Sequence, residues 1–278
     1  TFDLDSTVFV RYGNQEGSRK GYNPKKKGRA SHHPLLAFLA ESKMVLHVWL
    51  RSGNAGAARG VVAFLQEALA LLPEGHRIYA VRADSGFCED SFLSFLENQR
   101  MLYAVAARFT SKVQSLVGRQ APSWRRFGPG LEVGEAQYQA LGWKAPRRIV
   151  LIRETVKERK ESRGRKLLDC PGYLFHALVT SLDWPPEEVW RFYNSRADSE
   201  NRIKELAEHY GAKGFCVQRF FGTEAAVRLI AFLFNLIALF KNAVLQKPEP
   251  MLDRLRSWLF SVGAALGMEN GKEVLRLG

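Results

Sequence analysis

The sequence predicts an α/β protein: a mixed sheet flanked by helices and interrupted by a β-rich insertion. Two patterns carry this. Residues 1–109 read as strand, strand, strand, helix, strand, helix, strand, and early strands followed by alternation imply a mixed sheet with helices packed on it. From about Thr110 to Asp183 the chain is instead loop- and strand-rich, punctuated by Gly118, Pro122, Gly128, Pro129 and Gly130. Composition sets the scale: 278 residues, 46% apolar, give material for a sizeable core and exclude disorder.

Residues 1–10 alternate, with Phe2, Leu4, Val8 and Val10 on one face and Asp3, Asp5, Thr7 and Phe9 on the other, which is the period of a strand. A Gly/Pro/Lys loop, Gly13 to Gly28, follows. Pro34–Ala40 and Met44–Leu50 suit a hairpin. Asn54 is a plausible N-cap for a helix reaching about Leu72, where Pro73 and Gly75 end it. Arg77–Asp84 reads as a strand, Ser85-Gly86 as a turn, Glu89–Gln99 as a helix and Leu102–Ala106 as a strand. The insertion holds three strand candidates, Leu131–Ala140, Arg147–Val156 and Gly172–Leu182, with a basic loop, Lys157 to Lys166, between the last two. Trp184-Pro185-Pro186 opens one long helix, with Glu187 and Glu188 in its first turn as the helix dipole favours. Another helix covers roughly Thr223–Leu245. The expected organisation is one core made of 1–109 and 184–246, an insertion at 110–183, and a helical tail at 247–278.

The net charge of +13 is concentrated. Arg11 to Arg29 holds seven basic residues against Glu16, and Arg108 to Lys166 holds fifteen against five acids, so the rest of the chain is weakly acidic. One such run would be read as a solvated loop; two dense zones point to a polyanion, DNA or RNA. Lys25, Lys26, Lys27 and Arg29 read as a flexible basic arm. Three scattered cysteines exclude a disulfide framework and fit a reducing cytosol. The longest apolar run, Leu229 to Phe240, contains Asn235 and is shorter than the roughly 18–20 residues of a membrane span, so a buried helix and no membrane partner are expected. Thr1 leads straight into a strand pattern, from which further chain ahead of it is expected.

Acids stand where apolar residues would be expected. Asp84 ends the Arg77–Asp84 strand, and open sheets place ligand sites beyond such carboxyl ends; before Ser85-Gly86 it also suits a turn. Asp3 and Asp5 share a strand face, where two carboxylates repel unless a cation lies between them or one is solvated. Periodicity does not choose between them. On the long helix, Tyr193, Arg196, Glu200 and Lys204 fall within about 80° of one another and border the stripe of Phe192, Ile203, Leu206 and Tyr210. An exposed Arg196–Glu200–Lys204 ladder would explain the spacing equally well. Three carboxylates converging from two strands and a helix would suit hard divalent cations such as Mg²⁺, which take oxygen ligands and act on phosphodiesters.

Four segments, in order, carry a resemblance: Leu4-Asp5-Ser6-Thr7, Leu50-Arg51-Ser52-Gly53-Asn54-Ala55, Ala83-Asp84-Ser85-Gly86-Phe87, and Tyr193-Asn194-Ser195-Arg196-Ala197-Asp198-Ser199-Glu200-Asn201-Arg202-Ile203-Lys204-Glu205. The chain resembles, over nearly its whole length, the catalytic domain of bacterial cut-and-paste insertion-sequence transposases of the DDE type. The resemblance implies a ribonuclease-H-like fold in which Asp5, Asp84 and Glu200 are the catalytic triad and hold Mg²⁺ or Mn²⁺, as two ions. It implies that Tyr193, Arg196 and Lys204 contact DNA near the transposon end. The partners it implies are transposon-end and target DNA, and a homodimer or higher oligomer in the synaptic complex, at the nucleoid in the bacterial cytoplasm. Two positions depart from the pattern. Ala207 stands where a second Lys is common, and His176, four residues before Thr180-Ser181, stands where one relative stacks a Trp on a flipped base. Trp124 and Trp143 could stack on bases but read better as core residues. Competing readings are a nuclease of the same fold that does not join DNA, and an inactive DNA-binding remnant; the presence of all three acids argues against the second.

Overall fold

The computed structural model describes residues 1–278 apart from 24–25, 119–122, 156–164, 168–169, 246–249, 262 and 278. The alternation of residues 1–10 yields two strands. β1 (Phe2–Ser6) lies in the main sheet, whereas β2 (Phe9–Val10) pairs with β4 (Ala30–His32), which also pairs with β3 (Arg19–Lys20) in a small separate sheet. The split falls where Thr7 N–H donates to the Pro34 carbonyl (3.2 Å), since Pro34 has no N–H with which to continue the ladder. The hairpin follows as β5 (Leu35–Leu39) and β6 (Val45–Trp49).

Helix α1 (Val61–Ala70) starts later than an Asn54 cap would place it, after Gly60 in the left-handed region (φ 76°). The cause is Arg51. Its buried Nη1 donates to the carbonyls of Gly56 (3.1 Å), Ala57 (2.9 Å) and Arg59 (2.9 Å), which fixes 52–60 as turns. Beyond it lie β7 (Ala80–Ala83), α2 (Asp90–Asn98), β8 (Leu102–Ala106) and a helix not expected, α3 (Ser111–Gly118).

The β-rich insertion expected at 110–183 extends the main sheet. Its strands are β9 (Arg125–Gly128), β10 (Leu131–Tyr138), β11 (Arg147–Thr155), β12 (Arg165–Leu167) and β13 (Cys170–Thr180). β13 pairs antiparallel with β8, so the order runs β6-β5-β1-β7-β8-β13-β11-β10-β9, with β12 also on β13. Among the described residues only β1–β7 and β7–β8 are parallel. The Lys157–Lys166 loop lies largely outside the described residues. Trp143 is buried and Trp124 packs on Arg153 and Phe175, so both are packing residues.

Two layers of helix enclose the sheet. On one face Phe64, Leu65, Phe92 and Leu93 of α1 and α2 pack on Phe2, Leu4, Val81 and Tyr103. On the other lie α4 (Pro186–Asn194), α5 (Ala197–Glu208) and α6 (Phe220–Val244), over Leu36, Phe38, Val48, Val150 and Leu178. The helix expected to run unbroken from Trp184 is thus interrupted at Ser195-Arg196.

Helix α6 is 25 residues, long and apolar enough to cross a membrane, and is not simply buried as expected. Ala226, Val227, Ala231 and Phe234 face the core while Leu229, Phe232 and Leu236 are exposed. Its Asn235 caps the sheet edge, accepting from Val45 N–H (2.8 Å) and donating to Val45 O (2.7 Å). The opposite edge strand, β9, exposes Arg125 and Arg126. The tail is helical only in α7 (Leu252–Phe260). β14 (Ala264–Glu269) and β15 (Lys272–Leu277) form a hairpin through Asn270-Gly271, both with positive φ (52° and 73°), as a two-residue turn of this kind requires.

Phe64 is fully buried between α1 and the sheet. Phe64→Ala is expected to lower unfolding free energy by about 3–5 kcal/mol, the transfer and cavity cost of a buried aromatic, measured by denaturant titration.

Candidate active site

The parallel β1–β7 register sets Asp3 opposite Arg82 and Leu4 opposite Ala83, and one residue further on Asp5 comes beside Asp84. Both acids of β1 face the α4–α6 layer, and each meets its own arginine. Asp3 Oδ1 accepts from Arg82 Nε (2.6 Å), and Asp5 Oδ2 accepts from Arg196 Nη2 (2.6 Å). Arg196 Nη1 lies 3.6 Å from Glu200 Oε1, so one guanidinium bridges two acids on different elements. Asp84 follows β7 in extended conformation (ψ 177°), and its Oδ1 accepts from Gly86 N–H (2.8 Å). Gly86 is needed there because a Cβ would come 2.6 Å from Ala57 Cβ and 2.9 Å from Asp84 Oδ1.

Electrostatics place these groups in one site. Burial, together with the charges of Asp84 and Glu200, pushes the Asp5 carboxyl up to about 6 against the opposing pull of Arg196 and the Ser6 N–H. Burial likewise drives the Tyr193 hydroxyl up to about 12, so it remains a proton donor at neutral pH. For Arg196 burial acts downward, but Asp5, Tyr193, Asp84 and Glu200 outweigh it and hold the guanidinium above its ordinary value. Beside Asp84 opens a cavity of about 400 Å³ lined by Ser85, Arg108, Phe109, His176 and Tyr193. His176 packs on Trp190 (4.9 Å between centroids), and burial lowers its pKa.

A family model described as transposase DDE domain group 1 matches residues 1–278. The chain belongs to this transposase family. No curated protein matches it. Among solved structures it is similar to the piggyBac transposase in a cryo-EM synaptic complex with hairpin DNA, at 13% identity and a TM-score of 0.54. That likeness covers 91% of this chain and 49% of the other, so the chain spans about half the length of this relative. At such identity it concerns the fold, which is the ribonuclease-H-like one expected.

DDE transposases use divalent metal ions, and the side chains of Asp5, Asp84 and Glu200 carry only oxygen, the kind of donor such hard cations take. Among the described residues no three Asp, Glu, His or Cys side chains form a ready-made metal cluster. Arg196, which stands between Asp5 and Glu200, supplies the positive charge there.

The remaining expected residues lie elsewhere. Lys204 is exposed on α5, one turn beyond Glu200. Lys27 and Arg29 line a basin of about 370 Å³ with Lys20 and Tyr12 on the small sheet, and Lys26 and Arg29 lie over the Tyr12 ring at 4.9 and 5.5 Å. Lys25 lies outside the described residues. Sequence reading missed the Asp3–Arg82 pair. Its signal was available: Arg82 precedes Asp84 by two, as Asp3 precedes Asp5, so one parallel register aligns both pairs.

Because the Asp5 pKa is raised on folding from 3.8 to about 6, the native metal-free chain binds the extra proton between those values. Its stability therefore falls as pH rises through that window. Denaturation from pH 4 to 7 is expected to show wild type losing about 2 kcal/mol relative to Asp5→Asn, for a shift of roughly two units.

Proposed function

We propose that the chain is the catalytic domain of a cut-and-paste DNA transposase, in which water attacks the phosphodiester at the element's ends and the freed 3′-OH then attacks target DNA. The observation that supports this most is that Asp5, from a strand, and Glu200, from a helix, share the Arg196 guanidinium at 2.6 and 3.6 Å, while the charge of Asp84 at the next strand's end helps raise the Asp5 carboxyl. The ions assigned to these acids are Mg²⁺ or Mn²⁺, two of them, and when bound they stabilise charge on the attacking and leaving oxygens. Arg196 stands where the scissile phosphate would meet the acids, and Tyr193 holds its proton beside them. Lys204, exposed one turn beyond Glu200, and the basic run of Lys25, Lys26, Lys27 and Arg29 in the sequence carry the positive charge for the duplex backbone, whose phosphates set much of the affinity. A dimer or higher oligomer would hold two ends together.

The test is to incubate the protein with a precleaved end and a plasmid target in Mn²⁺. Joined product is expected. Glu200→Gln should reduce joining and nicking by on the order of a hundred-fold or more, equivalent to at least about 2.7 kcal/mol of barrier, with DNA binding retained. Efficient nicking without joining would instead identify a nuclease of the same fold.

A further inference from the structure

The break between α4 and α5 carries the residues that face the acids, and it has an identifiable cause. In an unbroken helix the Phe192 carbonyl would accept from Arg196 N–H. Here Arg82 Nη1 (2.7 Å) and Ser195 Oγ (2.8 Å) occupy that carbonyl, and Arg196 N–H turns to Tyr193 O (3.0 Å). Ser199 N–H likewise bonds Arg196 O (2.8 Å). These three-residue bonds tighten the chain to a 3₁₀ turn, in which side chains three apart eclipse. Tyr193, Arg196 and Ser199 are therefore stacked toward the sheet. Ser199 Oγ lies 3.0 Å from Asp3 Oδ2 while Arg196 grips Asp5, so Asp3 and Asp5 on β1 meet successive turns of the helix.

Arg82 is the centre of this arrangement. Its Nε and Nη2 bind both oxygens of Asp3 (2.6 and 2.8 Å), its Nη1 binds Phe192 O and Ser195 Oγ, and its plane lies 5.0 Å from the Phe192 ring. Asp3 is fully buried and Arg82 is 4% exposed. Buried ion pairs are weak sources of stability and are often replaceable by apolar side chains, so stability alone does not account for this one.

We propose that Asp3 and Arg82 are positioning residues that hold the α4–α5 break, and with it Tyr193, Arg196 and Glu200, in register with Asp5 and Asp84. This rests on the transposase reading. The test replaces the pair by Asp3→Leu with Arg82→Met in the full chain. The double variant is expected to keep its melting temperature and DNA affinity within about two-fold of wild type, yet to join a precleaved end on the order of ten- to a hundred-fold more slowly at saturating DNA, the loss typical of small misplacements. Mn²⁺ affinity, read by EPR, should weaken by about ten-fold, and amides of 193–199 should exchange faster. Wild-type joining, Mn²⁺ affinity and exchange in a folded double variant would overturn the proposal. If that variant does not fold, Ser195→Ala with Ser199→Ala, which removes only the hydroxyls, decides on the same three readouts. Failure of wild type to join DNA, or Mn²⁺ binding indifferent to Glu200→Gln, would count against the transposase reading instead, and amide exchange would still test the lock.

Discussion

The parallel register of β1 on β7 is the constraint on which the site depends. It sets Asp3 against Arg82 and, two residues along, brings Asp5 beside Asp84. Side chains in a strand alternate with period two, so a slip of one residue would turn both acids into the apolar layer under α1 and α2 and set Phe2 and Leu4 against Arg196 and Ser199. The hydrophobic demand of those two side chains, both fully buried, therefore fixes where the carboxylates stand. Core packing and chemistry are opposite faces of one strand.

Raising a carboxyl pKa by burial makes a site that is held together by cations. Asp5 is buried with Arg196 as its partner, and Glu200 shares that partner at longer range. A group in this position exchanges one positive neighbour for another with little reorganisation, provided the backbone that carries the guanidinium does not move. The hydrogen bonds at Phe192 and Ser195 meet that condition by tying α4 to a strand side chain as well as to its own axis.

Much of this was legible in the sequence. The hairpin, α2, β7, β8 and three strands of the insertion follow directly from apolar period and turn residues. What escaped was decided by contacts distant in sequence. Arg51 delays α1 by taking three carbonyls, and Arg82 interrupts a helix more than a hundred residues away. The insertion's strands were visible, but their union with the core through β8 was not, because a strand's pattern does not name its neighbour. In the site, the acids stood out as charges in apolar strands. Between Asp3 and Asp5 periodicity is silent and the family resemblance points to Asp5; in the structure Asp3 is held in a two-point pair with Arg82, whereas Asp5 shares its arginine with Glu200.

The treatment of the sheet's two rims bears on how the molecule behaves in company. A ten-stranded sheet with bare rims would recruit further strands from other copies. Here the Asn235 amide stands in for a neighbouring strand at Val45, and Arg125 and Arg126 charge the far rim. One asparagine within the apolar run of α6 thus acts against open-ended, edge-to-edge strand pairing between copies.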